Sequence, residues 1–130
     1  KQLFFTDFTH YKNYGTSISG ISYRAIQYGP VPSNYDNIYA WLESEQIIVS
    51  DFLKLNNGAA REVFVTKSGF DKSLFSNEEM ETISFILDKF GKMSTWDIVE
   101  LSHAEKAWKE LEPKRELIGY QDYAFELAAV

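Results

Sequence analysis

Cysteine is absent from this 130-residue chain, and its absence excludes several classes of protein. Without thiols the chain has no disulfide framework, no thiolate zinc site and no cysteine nucleophile. No apolar run approaches the roughly 20 residues of a membrane-spanning helix, and no signal-peptide pattern opens the sequence. These features predict a cytoplasmic protein with no membrane partner.

Basic residues are few, and they are scattered along the chain. Thirteen lysines and arginines stand against 19 aspartates and glutamates, which gives a formal net charge of −6. Because phosphate contacts need clustered Lys and Arg, this balance argues against nucleic-acid binding by this chain itself. An acidic surface suits solubility, the simpler interpretation, or a basic protein partner.

Groups that could carry chemistry are also scarce, since the chain has only two histidines. No Gly-x-Ser-x-Gly turn, glycine-rich phosphate loop or calcium-loop pattern occurs. Asp7 and His10 share a helix face, either as a metal pair or, as we favour, as a surface carboxylate near an imidazole. Ser102 lies beside His103, but adjacent helical residues point to different faces, and Ser102 suits a helix cap better. We predict no enzyme activity, no metal site and no cofactor.

Apolar and aromatic residues, by contrast, make up 45% and 16% of the chain, enough to bury a core. Apolar spacing and capping signals predict helices at residues 1–14, from Pro32 to about Ser44, after Ser76 and after Ser94, with shorter ones near 102–111 and 120–130. Strand-forming runs at 46–55 and 61–66 flank Asn56-Asn57-Gly58 and predict a hairpin. The predicted fold class is α+β, mainly α-helical, with about five to six helices and a small antiparallel β-sheet or hairpin.

Capping boxes and buried stripes refine this prediction. Boxes are expected at Ser33-x-x-Asp36, at Ser76 with Glu79, and at Ser94-x-x-Asp97. Two helices are expected to bury apolar stripes, the first through Leu3, Phe4, Phe8, Tyr11 and Tyr14, and the helix after Ser76 through Met80, Ile83, Leu87 and Phe90.

The segment Gly20–Pro32 predicts a rigid corner between a short extended stretch at 21–28 and the next helix. Pro30 and Pro32 fix φ, and Gly29 adopts backbone angles that a side chain forbids. Tyrosine combines apolar area with a hydroxyl and is favoured at interfaces. The candidate partner-binding residues are therefore Tyr23, Arg24, Tyr28 and Tyr35. For Arg24 we favour a structural salt bridge over a partner contact, and for Tyr28 a core position is an equal alternative.

Three segments in order, Leu3-Phe4-Phe5-Thr6-Asp7-Phe8, Tyr14-Gly15-Thr16-Ser17-Ile18-Ser19-Gly20 and Tyr28-Gly29-Pro30-Val31-Pro32, resemble the Panacea domain of SocA-like antitoxins. Leu101-Ser102-His103 with Ala107-Trp108 is similar to a later landmark of that family. The resemblance spans nearly the whole chain. It implies structural roles for the residues of the family motifs, namely Gly20, Gly29, Pro30, Pro32, Ser102, His103 and Trp108.

The resemblance implies an antitoxin that neutralises a co-encoded toxin by direct binding, without turnover. The alternatives are a sensing or dimerisation domain of a helix-turn-helix transcriptional regulator, and an adaptor that presents the toxin to a protease. The expected partner is a cognate toxin protein, and the sequence leaves a homodimer open.

The chain begins at Lys1 and continues directly into Leu3-Phe4-Phe5, a pattern typical of the middle of a helix. Residues 1–130 are therefore expected to form a single Panacea domain, truncated at its N-terminus and C-terminal in a longer protein. Any nucleic-acid binding would belong to a domain outside this chain.

Overall fold

The computed structural model describes residues 1–130 and confirms the predicted class, an α+β fold that is mainly helical. The chain forms two compact units, unit 1 (Lys1–Ser33 and Ser73–Val130) and unit 2 (Asn34–Lys72). None of the helices has the length and apolar character needed to cross a membrane.

The elements of unit 1 are five α-helices and three short strands. In chain order they are α1 (Gln2–Tyr14), β1 (Tyr23–Ile26), β2 (Gly29–Pro32), α3 (Asn77–Phe90), α4 (Thr95–Ala104), α5 (Lys106–Leu111), β5 (Leu117–Ile118) and α6 (Tyr120–Tyr123). Unit 2 consists of α2 (Tyr35–Ser44), β3 (Ile48–Lys54) and β4 (Ala60–Thr66). Short 3-10 turns lie at Lys72–Leu74, Glu112–Lys114 and Ala124–Glu126.

The core of unit 1 is built around α1, which ends where predicted, at Gly15 in the left-handed conformation. Phe4, Phe5 and Phe8 are fully buried, and the ring of Phe5 stacks on that of Phe90 in α3 at 4.8 Å between centroids. The predicted stripe was wrong at its ends, because Leu3 and Tyr14 remain about half exposed. The buried face of α1 therefore includes Phe5, which was not predicted, and excludes Leu3 and Tyr14.

The predicted corner at Gly20–Pro32 is in fact a tight β-hairpin. β1 pairs antiparallel with β2, from Tyr23 opposite Pro32 to Ile26 opposite Gly29, and Gln27 and Tyr28 form the turn. β5 pairs with the other side of β1, so that β2 is an edge strand of the three-stranded sheet. An edge strand tolerates proline because its outward N–H groups bond to no neighbouring strand.

Two of the three predicted capping boxes are present. Ser76 with Glu79, and Ser94 with Asp97, each form a reciprocal capping box. The box at Ser33 was wrong, because α2 starts after Asn34 without a side-chain cap. On α3 the buried side chains are Thr82, Ile86 and Phe90, whereas Leu87, predicted to be buried, is exposed.

The C-terminal segment closes unit 1. Glu105, between α4 and α5, is fully buried, and its carboxylate accepts the backbone N–H groups of Ala128 and Ala129, both at 2.9 Å. Leu127 is buried beside them. The predicted helix at 120–130 is limited to α6 and one 3-10 turn, because Glu105 holds the last residues by their backbone in a non-helical form.

Unit 2 has the predicted helix and hairpin. β3 and β4 pair antiparallel from Ile48 opposite Thr66 to Lys54 opposite Ala60, and Gly58 in the turn has a φ of 83°. The ring of Tyr39 on α2 stacks on Phe64 of β4, with centroids 4.5 Å apart and planes within 4°. None of the residues of this unit is fully buried.

Candidate functional site

The hairpin that carries the Tyr-Gly-Pro motif packs against α4 through Gly29. Gly29 is buried with a φ of +105°, a region that side chains rarely adopt. A Cβ atom added there would lie 2.3 Å from the Oγ atom of Ser102. Ser102 is itself fully buried inside α4 and donates its hydroxyl to the carbonyl oxygen of Val99 at 2.8 Å. The helix-cap role predicted for Ser102 was therefore wrong, since its side chain meets the hairpin.

Trp108 and His103 make a second contact to the same hairpin. The indole Nε1–H of Trp108 donates to the carbonyl oxygen of Ile26 at 2.8 Å, at the end of β1. His103 stacks on Trp108 with ring centroids 3.7 Å apart and planes 16° apart. The Nε2 atom of His103 is buried without a hydrogen-bond partner. The Tyr-Gly-Pro and Leu-Ser-His segments, more than 70 residues apart in the chain, are thus in direct contact.

Asp7 is the polar centre on the other side of the hairpin. Its carboxylate is buried and accepts the backbone N–H groups of Ile18 and Ser19 at 2.9 and 2.8 Å. It also accepts the hydroxyl groups of Ser19 and, at 2.5 Å, of Tyr23. Four donors to one carboxylate fix the loop between α1 and β1 in place. The positive φ of Gly20, +70°, lies in this loop.

Burial and the Asp7 charge shift the titration of two tyrosines. Burial first, and then the hydrogen bond to Asp7, raise the pKa of Tyr23 far above its ordinary value. Burial and the charge on Asp7 raise the pKa of Tyr120 to about 12. The Tyr120 hydroxyl donates to the carbonyl oxygen of Ile21 at 2.5 Å. Both tyrosines are therefore neutral hydrogen-bond donors at physiological pH.

His10 belongs to a separate hydrogen-bond network. Its Nδ1 atom lies 2.9 Å from Thr82 Oγ1, whose hydroxyl donates to the carbonyl oxygen of Glu78 at 3.0 Å. Because the single hydroxyl proton of Thr82 is thus used, His10 Nδ1 is the donor to Thr82. The surface location predicted for Asp7 and His10 was wrong, as both are buried. No group of three or more His, Cys, Asp or Glu side chains in residues 1–130 could hold a metal ion.

The four predicted partner-binding residues have different environments. Tyr23 is fully buried, so the partner contact predicted for it is incompatible with its place in the core. Arg24 is partly buried and donates from Nη1 to the carbonyl oxygen of Arg115 at 2.6 Å, in place of the predicted salt bridge. Tyr28 is 50% exposed in the hairpin turn, and Tyr35 is 40% exposed at the start of α2 in unit 2. Of these four residues, only Tyr28 and Tyr35 therefore have an exposed aromatic side chain.

An apolar groove in unit 1 was not predicted from the sequence. It lies between α1 and α3, has a volume of about 360 Å³, and includes the exposed side chains of Leu3 and Leu87 on its walls. In the sequence, the only sign of this groove was that the two helices carry more apolar residues than one buried stripe on each would need.

A second groove lies within unit 2, between α2 and the hairpin, with a volume of about 270 Å³. Aromatic rings and three carboxylates line it together: Tyr35, Asp36, Tyr39, Glu43, Glu62 and Phe64. The opposite face of the hairpin carries four apolar side chains, Val49, Leu53, Val63 and Val65, three of which are exposed, together with Asp51 and Arg61. The sequence placed Tyr35 at a partner surface, but neither the groove nor this largely apolar face was predicted.

Comparison with known proteins gives one family. A family model described as "Antitoxin SocA-like, Panacea domain" matches residues 1–109 of the chain. No curated protein and no solved structure matches it. The matched residues include the hairpin, the Asp7 network and the Ser102, His103 and Trp108 contacts, so the family landmarks form one packed assembly in unit 1. The chain belongs to the SocA-like antitoxin family with a Panacea domain.

Proposed function

We propose that this protein is an antitoxin that neutralises a co-encoded toxin by direct, stoichiometric binding. The observation that carries the proposal is the family match over residues 1–109. The toxin partner, the direct mode of neutralisation and a cytoplasmic location are parts of this proposal. A single functional domain over residues 1–130 is a further part.

The arrangement of polar groups in unit 1 supports a binding role. Asp7, His10 and Glu105 are buried and hydrogen-bonded to other parts of unit 1. These side chains hold loops and helices of unit 1 in place, as a binding protein requires.

The exposed apolar side chains of unit 2 support a protein partner. Trp41, Phe52 and Leu53 are each more than half exposed, in a unit of only 39 residues. Val49 and Val65, which lie directly opposite each other on one face of the hairpin, are 40% and 49% exposed, and adjoining exposed apolar side chains mark surfaces that bind other proteins. With a net charge of −6, the chain suits a basic partner.

Co-expression tests this proposal. The gene adjacent to that of this protein is expressed from an inducible promoter in the presence or absence of the full chain, and growth is followed. We expect growth arrest by the neighbouring product alone and recovery with the antitoxin. A harmless product, or arrest that persists at equal expression of both proteins, would contradict the proposal. Recovery that needs a host protease would identify delivery rather than neutralisation.

A further inference from the structure

The outer edge of β4 is open. The backbone N–H of Lys67 donates to the carbonyl oxygen of Ile47, and that of Leu55 donates to the carbonyl oxygen of Ala59. Hydrogen-bonded and non-bonded pairs alternate along an antiparallel ladder, so the odd-numbered residues of β3 and β4 are the ones that bond to each other. The N–H and C=O groups of Glu62 and Phe64 therefore point away from β3. β4 has β3 as its one neighbour, and none of the hydrogen bonds described for the chain involves these outward groups.

The outer edge of β3, by contrast, is closed by the chain itself. The outward N–H of Ser50 donates to the Glu43 carboxylate of α2 at 3.1 Å, and that of Phe52 donates to the Asp51 carboxylate at 2.7 Å. Natural proteins cover or occupy strand edges in this way because free edges recruit other chains. Because the outward N–H groups of β3 are already bonded and those of β4 are not, an added strand would pair with β4.

The groove described above runs along the same strand. Glu62 and Phe64 line it from β4, and Asp36 and Glu43 line it from α2. None of the three groove carboxylates, Asp36, Glu43 and Glu62, forms an ion pair with a basic side chain of the chain. Carboxylates beside tyrosine and phenylalanine rings complement a lysine or arginine, which can pair with the charge and lie against the rings.

We propose that β4 binds an extended segment of the toxin as a third strand, and that this segment carries a basic side chain into the groove of unit 2. The proposal rests on the proposed function, because it takes the toxin as the occupant. Backbone hydrogen bonds to Glu62 and Phe64 hold the added strand. Since side chains alternate across a strand, its basic residues face α2, and its other residues meet the apolar face at Val63 and Val65.

A proline substitution separates backbone pairing from side-chain contact. Glu62→Pro removes an N–H that makes no bond to β3, so the hairpin keeps its ladder, while an incoming strand loses a donor and meets the proline ring. Glu62→Ala keeps the N–H and removes only the carboxylate. The affinity of each variant for the purified co-encoded toxin is measured by calorimetry, and Glu45→Ala, at the end of α2 outside the groove, is the matched control.

We expect Glu62→Pro to bind on the order of tenfold or more weakly than Glu62→Ala. Glu62→Ala is expected to lose affinity several-fold and to reduce the salt dependence of binding, while Glu45→Ala binds like the wild type. Equal, wild-type affinity of both Glu62 variants would overturn the edge-strand proposal and leave the proposed function standing. Failure of the wild type to bind the toxin would remove both. Loss of a wild-type homodimer in Glu62→Pro would show that the occupant is a second copy, which also contradicts the proposal.

Amide hydrogen exchange in the wild-type protein tests the same proposal without a variant. In the free protein the amides of Glu62, Phe64 and Thr66 are expected to exchange quickly, and those of Val63 and Val65 slowly. In the toxin complex the first three should gain protection of at least about tenfold. Protection that is unchanged at these three amides in a saturated complex would refute the proposal.

Discussion

Replacing Gly29 tests why the family hairpin and α4 lie so close together. In Gly29→Ala the backbone φ of +105° introduces strain of about 1–3 kcal/mol. The new Cβ also meets Ser102 Oγ at 2.3 Å, and overpacking of a buried site costs about 1–3 kcal/mol more. We expect Gly29→Ala to lower the free energy of unfolding by about 2–6 kcal/mol, measured by denaturant titration with tryptophan fluorescence.

A double-mutant cycle with Ser102→Ala separates these two contributions. Ser102→Ala alone removes one hydrogen bond to Val99, worth about 0.5–1.5 kcal/mol. Because it also removes the atom that the new methyl group meets, the double variant should recover about 1–3 kcal/mol relative to the sum of the singles. Gly20→Ala is the matched control: its φ is +70°, but no atom lies within 4 Å of its added Cβ, so it should show no coupling to Ser102→Ala. Coupling below about 0.5 kcal/mol for Gly29 would refute this account of the hairpin contact.

Three further predictions concern the buried carboxylates and Tyr23. Asp7→Asn replaces the carboxylate with an amide, and the loss of two charge-assisted hydrogen bonds at about 1.5–3 kcal/mol each should lower the stability measured by heating and by urea. The control Asp88→Asn, on the exposed face of α3, should have little effect. The pKa of Tyr23 is raised in the folded protein, so the tyrosine ionises first in the unfolded state, and the stability that it contributes is complete below pH 10 and falls above it. Tyr23→Phe should therefore make the fall in unfolding free energy with pH shallower by up to about 1.4 kcal/mol per pH unit. Identical slopes for the variant and the wild type in urea titrations at several pH values would contradict this. Glu105→Gln leaves one of the two backbone N–H groups, of Ala128 and Ala129, without its acceptor, so it should lower the free energy of unfolding by about 1.5–3 kcal/mol. It should also make the residues after Leu127 more accessible to carboxypeptidase. An unchanged rate of cleavage by carboxypeptidase would contradict the role of Glu105 in holding the C-terminal segment.

Local signals in the sequence were sufficient wherever the determining residues are neighbours. The capping boxes at Ser76 and Ser94 were predicted because donor and acceptor lie three residues apart. The hairpin of unit 2 was predicted because Gly58 supplies a positive φ inside the turn. The family landmarks were also readable, since each is a short run of characteristic residues.

Features that depend on distant partners were not predictable in the same way. β2 was missed because prolines disfavour strands, and its tolerance as an edge strand depends on β5 occupying the other side of β1. The burial of Tyr23 depends on Asp7, which lies 16 residues earlier and faces it only after folding. The open edge of β4 was missed because it is defined by side chains, Glu43 and Asp51, that close the opposite edge.

Titration of the purified toxin with this protein tests the central claim most directly. Residual activity of the co-encoded toxin is measured against the molar ratio of the two proteins, at several incubation times. Direct neutralisation predicts a linear fall to a break point at one fixed ratio, with the same ratio at every time and recovery of both intact proteins. Toxin activity that is unaffected at molar excess, or that continues to fall with time at substoichiometric ratios, would contradict neutralisation by binding.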